Sequence, residues 1–200
     1  MFHRSRLALV ALLACGLCLA VVGPSGGAAA KLEGKPAPAL KADFALNGKP
    51  VAPADLKGKV VLLDFWAVWC GPCIRTFPHL REWHKEYKDQ GLEIVGVTTY
   101  FERFGFDKEG GKLIPDQKLS QADEQAMLKD FAAHHKLEHR LMTVSRDEWK
   151  RVCDEYGVRG IPHVTLIDRK GNVRLTKVGA SDANAKAIEE MIKTLLAEKE

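Results

Sequence analysis

The sequence predicts an α/β fold. Two near-continuous apolar runs of strand length, Lys59–Trp66 (KVVLLDFW) and Leu92–Thr99 (LEIVGVTT), have the pattern of strands buried on both faces. Stretches with helical spacing lie between and after them, so strands and helices alternate along the chain. No internal repeat and no second domain boundary interrupt this alternation.

The elements follow in order. Lys31 to Leu40 is a Pro-rich lead-in without periodicity. Phe44-Ala45-Leu46 and Lys49-Pro50-Val51 flank Asn47-Gly48 and read as a small hairpin, because Asn-Gly favours a tight turn. Pro72 to Lys88 carries Phe77, Leu80, Trp83, His84 and Tyr87 along one helical side, and Pro78 inside it predicts a kink. Residues 101–118 are rich in Gly and charge and read as an insertion loop. Ser120 with Asp123 predicts a helix start, and the helix runs to about His135, burying Ala126, Met127, Phe131 and His134.

Leu141 to Val144 reads as a short strand. Ser145 with Glu148 forms a capping box for a helix through Tyr156, which Gly157 stops. His163–Ile167 and Val173–Val178 are strands joined by the turn-rich Asp168–Asn172. Asp182 to Glu198 is an amphipathic helix with Ile188, Met191, Ile192, Leu195 and Leu196 inward.

The N-terminus has a different character. Arg4 and Arg6 precede an apolar stretch of 16 residues, Leu7–Val22, and then the small residues GPSGGAAA. A basic start, an apolar core and an A-x-A site at Ala28–Ala30 describe a secretory signal peptide over residues 1–30. The alternatives are an N-terminal membrane anchor and a lipoprotein signal at Cys15. The anchor reading is strained, because a span needs about 20 apolar residues. Residues 31–200 then form the one domain. Removing residues 1–30 takes away two arginines and no acid, and lowers the formal net charge from +4 to +2. No composition-level case for nucleic acid survives that change.

Length and composition exclude a multi-domain enzyme, a disordered chain and a disulfide-stapled mini-scaffold. Past residue 30 the cysteines are Cys70, Cys73 and Cys153. An exported chain meets an oxidising compartment, where a close cysteine pair is a staple or a redox tool.

The chemistry sits at Trp69-Cys70-Gly71-Pro72-Cys73. Two cysteines two residues apart follow a buried strand and open a helix, the context of a redox motif. A zinc site needs four ligands, and no second CxxC or CxxH pair is present. At a helix N-terminus, free amides and the helix dipole stabilise a thiolate and lower its pKa from about 8.5. Cys70 is therefore the attacking thiol. Cys73, one turn along, is the resolving thiol that displaces a mixed disulfide. A purely structural disulfide over so short a loop would constrain little unfolded-chain entropy.

These residues resemble thioredoxin. Asp64-Phe65-Trp66-Ala67, Trp69-Cys70-Gly71-Pro72-Cys73 and Pro78 match its active-site strand and helix, and Gly160-Ile161-Pro162 is similar to its cis-proline loop. The export signal, the N-terminal hairpin and Tyr156–Pro162 ahead of Val164–Asp168 resemble the TlpA/ResA-like branch more closely. The resemblance covers about Lys35 to Leu196 and implies a thioredoxin fold, a central mixed β-sheet flanked by helices. Residues 101–118 match nothing in that pattern.

The resemblance implies roles. Asp64 would be the buried acid that takes a proton from Cys73, its pKa raised by desolvation. Trp69 would be a flat wall beside the disulfide. Pro162 would be cis, opposite Cys70, leaving the Ile161 backbone free to pair with an incoming substrate strand.

Two positions depart from the pattern. Many ResA-like and cytochrome-maturation proteins carry Glu three residues after the second cysteine; Thr76 stands there, against a dedicated cytochrome c maturation role. After the cis-proline, often Thr, stands His163, which either stabilises a thiolate beside the cysteines or points away.

The resulting expectation is an exported, periplasmic or otherwise extracytoplasmic thiol–disulfide oxidoreductase of the protein-disulfide reductase type, without cofactor or metal. Its partners would be disulfide-containing protein substrates and a redox partner, membrane-bound in one reading, that re-reduces the pair. One alternative is a peroxiredoxin-type peroxide reductase, although that chemistry uses Thr or Ser where Ala67 stands. Another is a copper-binding thioredoxin-like module using Cys70, Cys73 and His163. Cys153 reads as core filler, with a regulatory or resolving thiol as the alternative. His134, His135 and His139 read as a solvated helix end.

Overall fold

Val60 to Phe65 buries every side chain, and a strand with no exposed position belongs in the middle of a sheet. The computed structural model, which describes residues 32–198, places it there. In chain order the strands are β1 (Phe44–Leu46), β2 (Val60–Phe65), β3 (Leu92–Thr99), β4 (Phe104–Asp107), β5 (Lys112–Pro115), β6 (Arg140–Val144), β7 (His163–Ile167) and β8 (Val173–Val178). The helices are α1 (Gly71–Tyr87), α2 (Gln121–His134), α3 (Arg146–Tyr156) and α4 (Asp182–Ala197).

Six strands form one mixed sheet in the order β1-β6-β3-β2-β7-β8. β2 pairs parallel with β3 and antiparallel with β7, so Asp64 stands opposite Gly96 on one side and Val164 on the other. On one face, Leu62, Trp66 and Leu166 pack against α1, α2 and α4 through Phe77, Leu80, Phe131, Ile188 and Ile192. On the other, Val61, Leu63 and Phe65 pack against Val152 and Tyr156 of α3 and against Leu40. Gly96 permits a close approach: a Cβ there would lie 2.9 Å from Trp66 Nε1 and 2.8 Å from Leu141 Cδ2.

The caps follow the sequence. Ser120 and Ser145 accept from the amides of Asp123 and Glu148, and Gly157 ends α3 at φ 68°, where a Cβ is penalised. Helix α1 continues through Pro78 as one element.

Four expectations need correction. The segment at Phe44–Leu46 does not form a hairpin with 49–51. β1 instead pairs antiparallel with β6 at the sheet edge. Asn47 and Gly48 do make a turn, with φ of 56° and 147°. However, Pro50 has no N–H to donate, and the Asn47 amide is spent on the carbonyls of Leu137 and His139. Residues 101–118 are not a loop: β4 and β5 form an antiparallel hairpin docked on α2, Phe106 lying 5.3 Å from Phe131.

In α2 the buried residues are Glu124, Met127, Leu128, Phe131 and Ala132, whereas Ala126 and His134 are exposed. The apolar stripe is turned by one position because α2 covers both the sheet and the hairpin. Finally, of the three histidines read as a solvated end only His134 is exposed. His139 is buried against His84, ring centroids 6.2 Å apart, and burial pushes its pKa down to about 3. His135 packs against Phe131 with the rings tilted at 51° and their centroids 4.4 Å apart. The expected signal or anchor at 1–30 lies outside the described residues.

Candidate active site

Strand β2 delivers Asp64, Phe65 and then Trp66 and Ala67 to the top of the sheet, and the chain turns there into α1. Cys70 is the N-cap: its N–H donates to the Ala67 carbonyl at 3.0 Å, and its own carbonyl accepts from Ile74 at 3.1 Å. The Cys70 sulfur accepts from the Cys73 amide at 3.2 Å. Gly71 and Pro72 occupy the first turn, where a missing proline N–H leaves no intrahelical bond unmade. Cys70 and Cys73 are joined as a disulfide. Both cysteines are buried, Cys73 completely and Cys70 with 3% of its surface exposed. Thr76 Oγ1 donates to the Cys73 carbonyl at 2.8 Å, so Thr76 fixes the helix and presents no acid to the thiols.

Asp64 is 2% exposed, and neither carboxylate oxygen accepts a hydrogen bond from any described residue. Strand alternation sets it on the same face as Leu62 and Trp66, the face covered by α1, where Cys73 is also buried. Burial raises its pKa from 3.8 to about 7. A carboxyl poised near neutral pH serves as a proton acceptor in a way that an ordinary surface aspartate does not.

Two further segments carry residues expected at the site. Trp69 is 47% exposed. The Ile161–Pro162 bond is cis, and the Pro162 carbonyl accepts from Gly179 at 2.8 Å. His163 takes the second of its two readings and points away. It pairs in register with Phe65, and its ring meets the Phe65 ring edge-on at 5.6 Å on the α3 face of the sheet. Its Nε2 lies 3.3 Å from Thr165 Oγ1, and burial lowers its pKa to about 4. Cys153 is half-buried against the α3-side core, and burial pushes its thiol up to about 11, so it holds its proton.

Sequence reasoning missed the contact that holds Trp69. Phe101 meets the Trp69 ring edge-on at 5.6 Å. Phe101 is in turn fixed by Glu124, whose two carboxylate oxygens accept from the amides of Phe101 and Glu102 at 2.7 and 2.8 Å. The signal was present: Glu124 precedes Leu128 and Phe131 by four and seven residues, which places an acid on an apolar helix face. Among the described residues there is no cluster of three metal-ligating side chains.

The match to known proteins is now decisive. A family model described as Redoxin covers residues 32–192. The chain is 30% identical to the thiol-disulfide oxidoreductase ResA of Bacillus subtilis over 176 residues, 86% of this chain and 82% of that one.

The chain belongs to the Redoxin family, as a TlpA/ResA-type member with the thioredoxin fold.

A second relative of this redoxin, the thiol-disulfide oxidoreductase ResA of Bacillus thuringiensis, is 31% identical over 129 residues. That match takes in 64% of this chain and 60% of the relative's length. The thioredoxin domain of a thiol-disulfide oxidoreductase from Bacteroides vulgatus superposes with a TM-score of 0.61 at 26% identity, covering 80% of this chain and 97% of that one. A thiol:disulfide interchange protein from a Bacteroides species gives a TM-score of 0.59 at 25% identity, over 79% and 88% of the two chains.

Proposed function

We propose that this redoxin is an exported protein-disulfide reductase that works by dithiol/disulfide exchange. The observation that carries the reading is the Cys70–Cys73 pair at the start of α1 with the unpartnered, buried Asp64 on the same face. In the reduced protein the Cys70 thiolate attacks one sulfur of a substrate disulfide. A bond forms between Cys70 and that sulfur, and the other substrate sulfur leaves as a thiolate. Cys73 then gives its proton to Asp64 and attacks the Cys70 sulfur. The second substrate sulfur departs, and the Cys70–Cys73 disulfide closes. Two electrons have moved to the substrate, and a dithiol partner must return them.

Trp69 and the Ile161–Pro162 segment flank the exchange centre and supply the surface for a substrate backbone. His163 contributes its main chain there, not its imidazole. Gly71 and Pro72 keep the first turn of α1 open to the substrate. The names of the relatives support the reaction class, and the basic, apolar and small-residue run of residues 1–30 supports export or anchorage outside the cytoplasm. Peroxide reduction lacks its hydroxyl, because Ala67 is a buried methyl.

The test is turnover of insulin disulfides with dithiothreitol as donor. The wild type is expected to reduce insulin and Cys70→Ser to be inactive. A Cys70→Ser variant with full turnover would sink the mechanism. A midpoint potential near about −270 mV agrees with a reductant, and one near about −120 mV reverses the proposed direction.

A further inference from the structure

We infer that the 101–118 insertion is part of the substrate-recognition surface, with Phe101 and Glu124 as positioning residues for Trp69. This rests on the disulfide-exchange reading above and names its substrate class: an extended polypeptide carrying apolar side chains on both sides of its disulfide cysteine.

Three observations converge. First, Phe101 is pinned from every polar side. Glu124, only 5% exposed, takes its amide and the next one in a two-oxygen clamp, and Arg146 from α3 donates to its carbonyl at 2.8 Å. A buried carboxylate desolvated to hold two loop amides fixes a conformation and not merely a helix end. Second, the ring so fixed stands edge-on to Trp69, one residue before the attacking thiol, and Phe104 of β4 extends the contact at 6.3 Å from Phe101. Trp69 is 47% exposed yet held in place, as a preformed platform requires.

Third, the opposite flank is also apolar. Among the described residues the exposed large hydrophobics are Trp69, Ile114 and Val178. Val178 pairs with His163 and stands beside the turn into Ile161–Pro162: a Cβ on Gly160 would meet it at 3.9 Å. A peptide lying along the Ile161 backbone thus has an apolar platform at Trp69 on one side and Val178 on the other. A small disulfide is too short to span both flanks.

That difference is the experiment. Reduction of insulin and of bis(2-hydroxyethyl) disulfide is to be compared for the full chain, Phe101→Ala, Glu124→Gln and Phe101→Tyr. Gln leaves a single oxygen for two amides, and Tyr keeps the aromatic edge. An aromatic contact of about 0.5–1.5 kcal/mol corresponds to about a 2- to 10-fold change. The expected result is that rise in KM for insulin in Phe101→Ala and Glu124→Gln, unchanged kcat, and unchanged turnover of the small disulfide. Phe101→Tyr is expected to retain wild-type KM. Equal losses on both disulfides, or an unchanged insulin KM in Phe101→Ala, would overturn the inference while leaving the exchange mechanism intact. A wild type that reduces neither disulfide overturns both.

Discussion

The amide of Cys73 points at the sulfur of Cys70, 3.2 Å away, so the turn that carries the resolving thiol also holds the attacking one. In the reduced protein the same amide and the dipole of α1 favour a Cys70 thiolate. Cys73, enclosed under the helix, lacks that help. Iodoacetamide should therefore modify Cys70 first, with a midpoint below the ordinary thiol value of about 8.5. Cys73→Ser should accumulate a mixed disulfide between Cys70 and substrate, visible on a non-reducing gel. Preferential alkylation of Cys73 would reverse the two roles.

A second contact ties the N-terminal segment to the core. The buried Tyr156 donates its hydroxyl to the Pro38 carbonyl at 2.6 Å, across the α3 face of the sheet. Tyr156→Phe keeps the ring packed against Phe65 and removes only this bond. The expected cost is about 1 kcal/mol in urea unfolding, together with faster proteolysis ahead of Leu40. A variant with wild-type stability would mean that Pro38 is held by packing alone.

The sheet and the site were legible in different degrees. The buried runs of β2 and β3 announced themselves by composition, and the serine caps and Gly157 marked helix ends within a residue or so. Cys70 and Cys73 were placed by strand and helix context, and Asp64 by the resemblance to thioredoxin. The hairpin β4–β5 was hidden because each strand is four residues long, and the Phe104/Phe106 alternation is too short to stand out among charges. β1 was mispaired because a turn signal states that the chain reverses and not which strand it then meets. Glu124 stands in the first turn of α2, where an acid also suits the helix dipole; the amides it holds lie 23 and 22 residues upstream, a distance no local pattern reaches.

The buried imidazole of His163 predicts sensitivity to acid. Burial holds its pKa at about 4 against 6.5 unfolded, so the unfolded chain takes up the proton first. Its contribution is fully present above about pH 6.5 and is lost as pH falls toward 4, by about 3 kcal/mol. His139 acts in the same direction, with a pKa of about 3. His163→Leu should flatten the acid limb of urea-unfolding stability. An unchanged limb would assign the whole effect to other groups.

Asp64 works in the opposite sense. Its carboxyl is held at about 7 in the fold and at about 3.8 when unfolded, so the folded protein binds the extra proton between those values. Stability therefore falls as pH rises through that window, by on the order of 2–3 kcal/mol between about pH 5 and 8. This loss is set against proton transfer from Cys73, which needs an acceptor near neutral pH. Asp64→Asn should make stability nearly level over that range. It should also slow insulin reduction at the resolving step, so that mixed disulfide accumulates with Cys73 still present. Level stability with undiminished turnover would leave Asp64 as a buried charge without a part in the exchange.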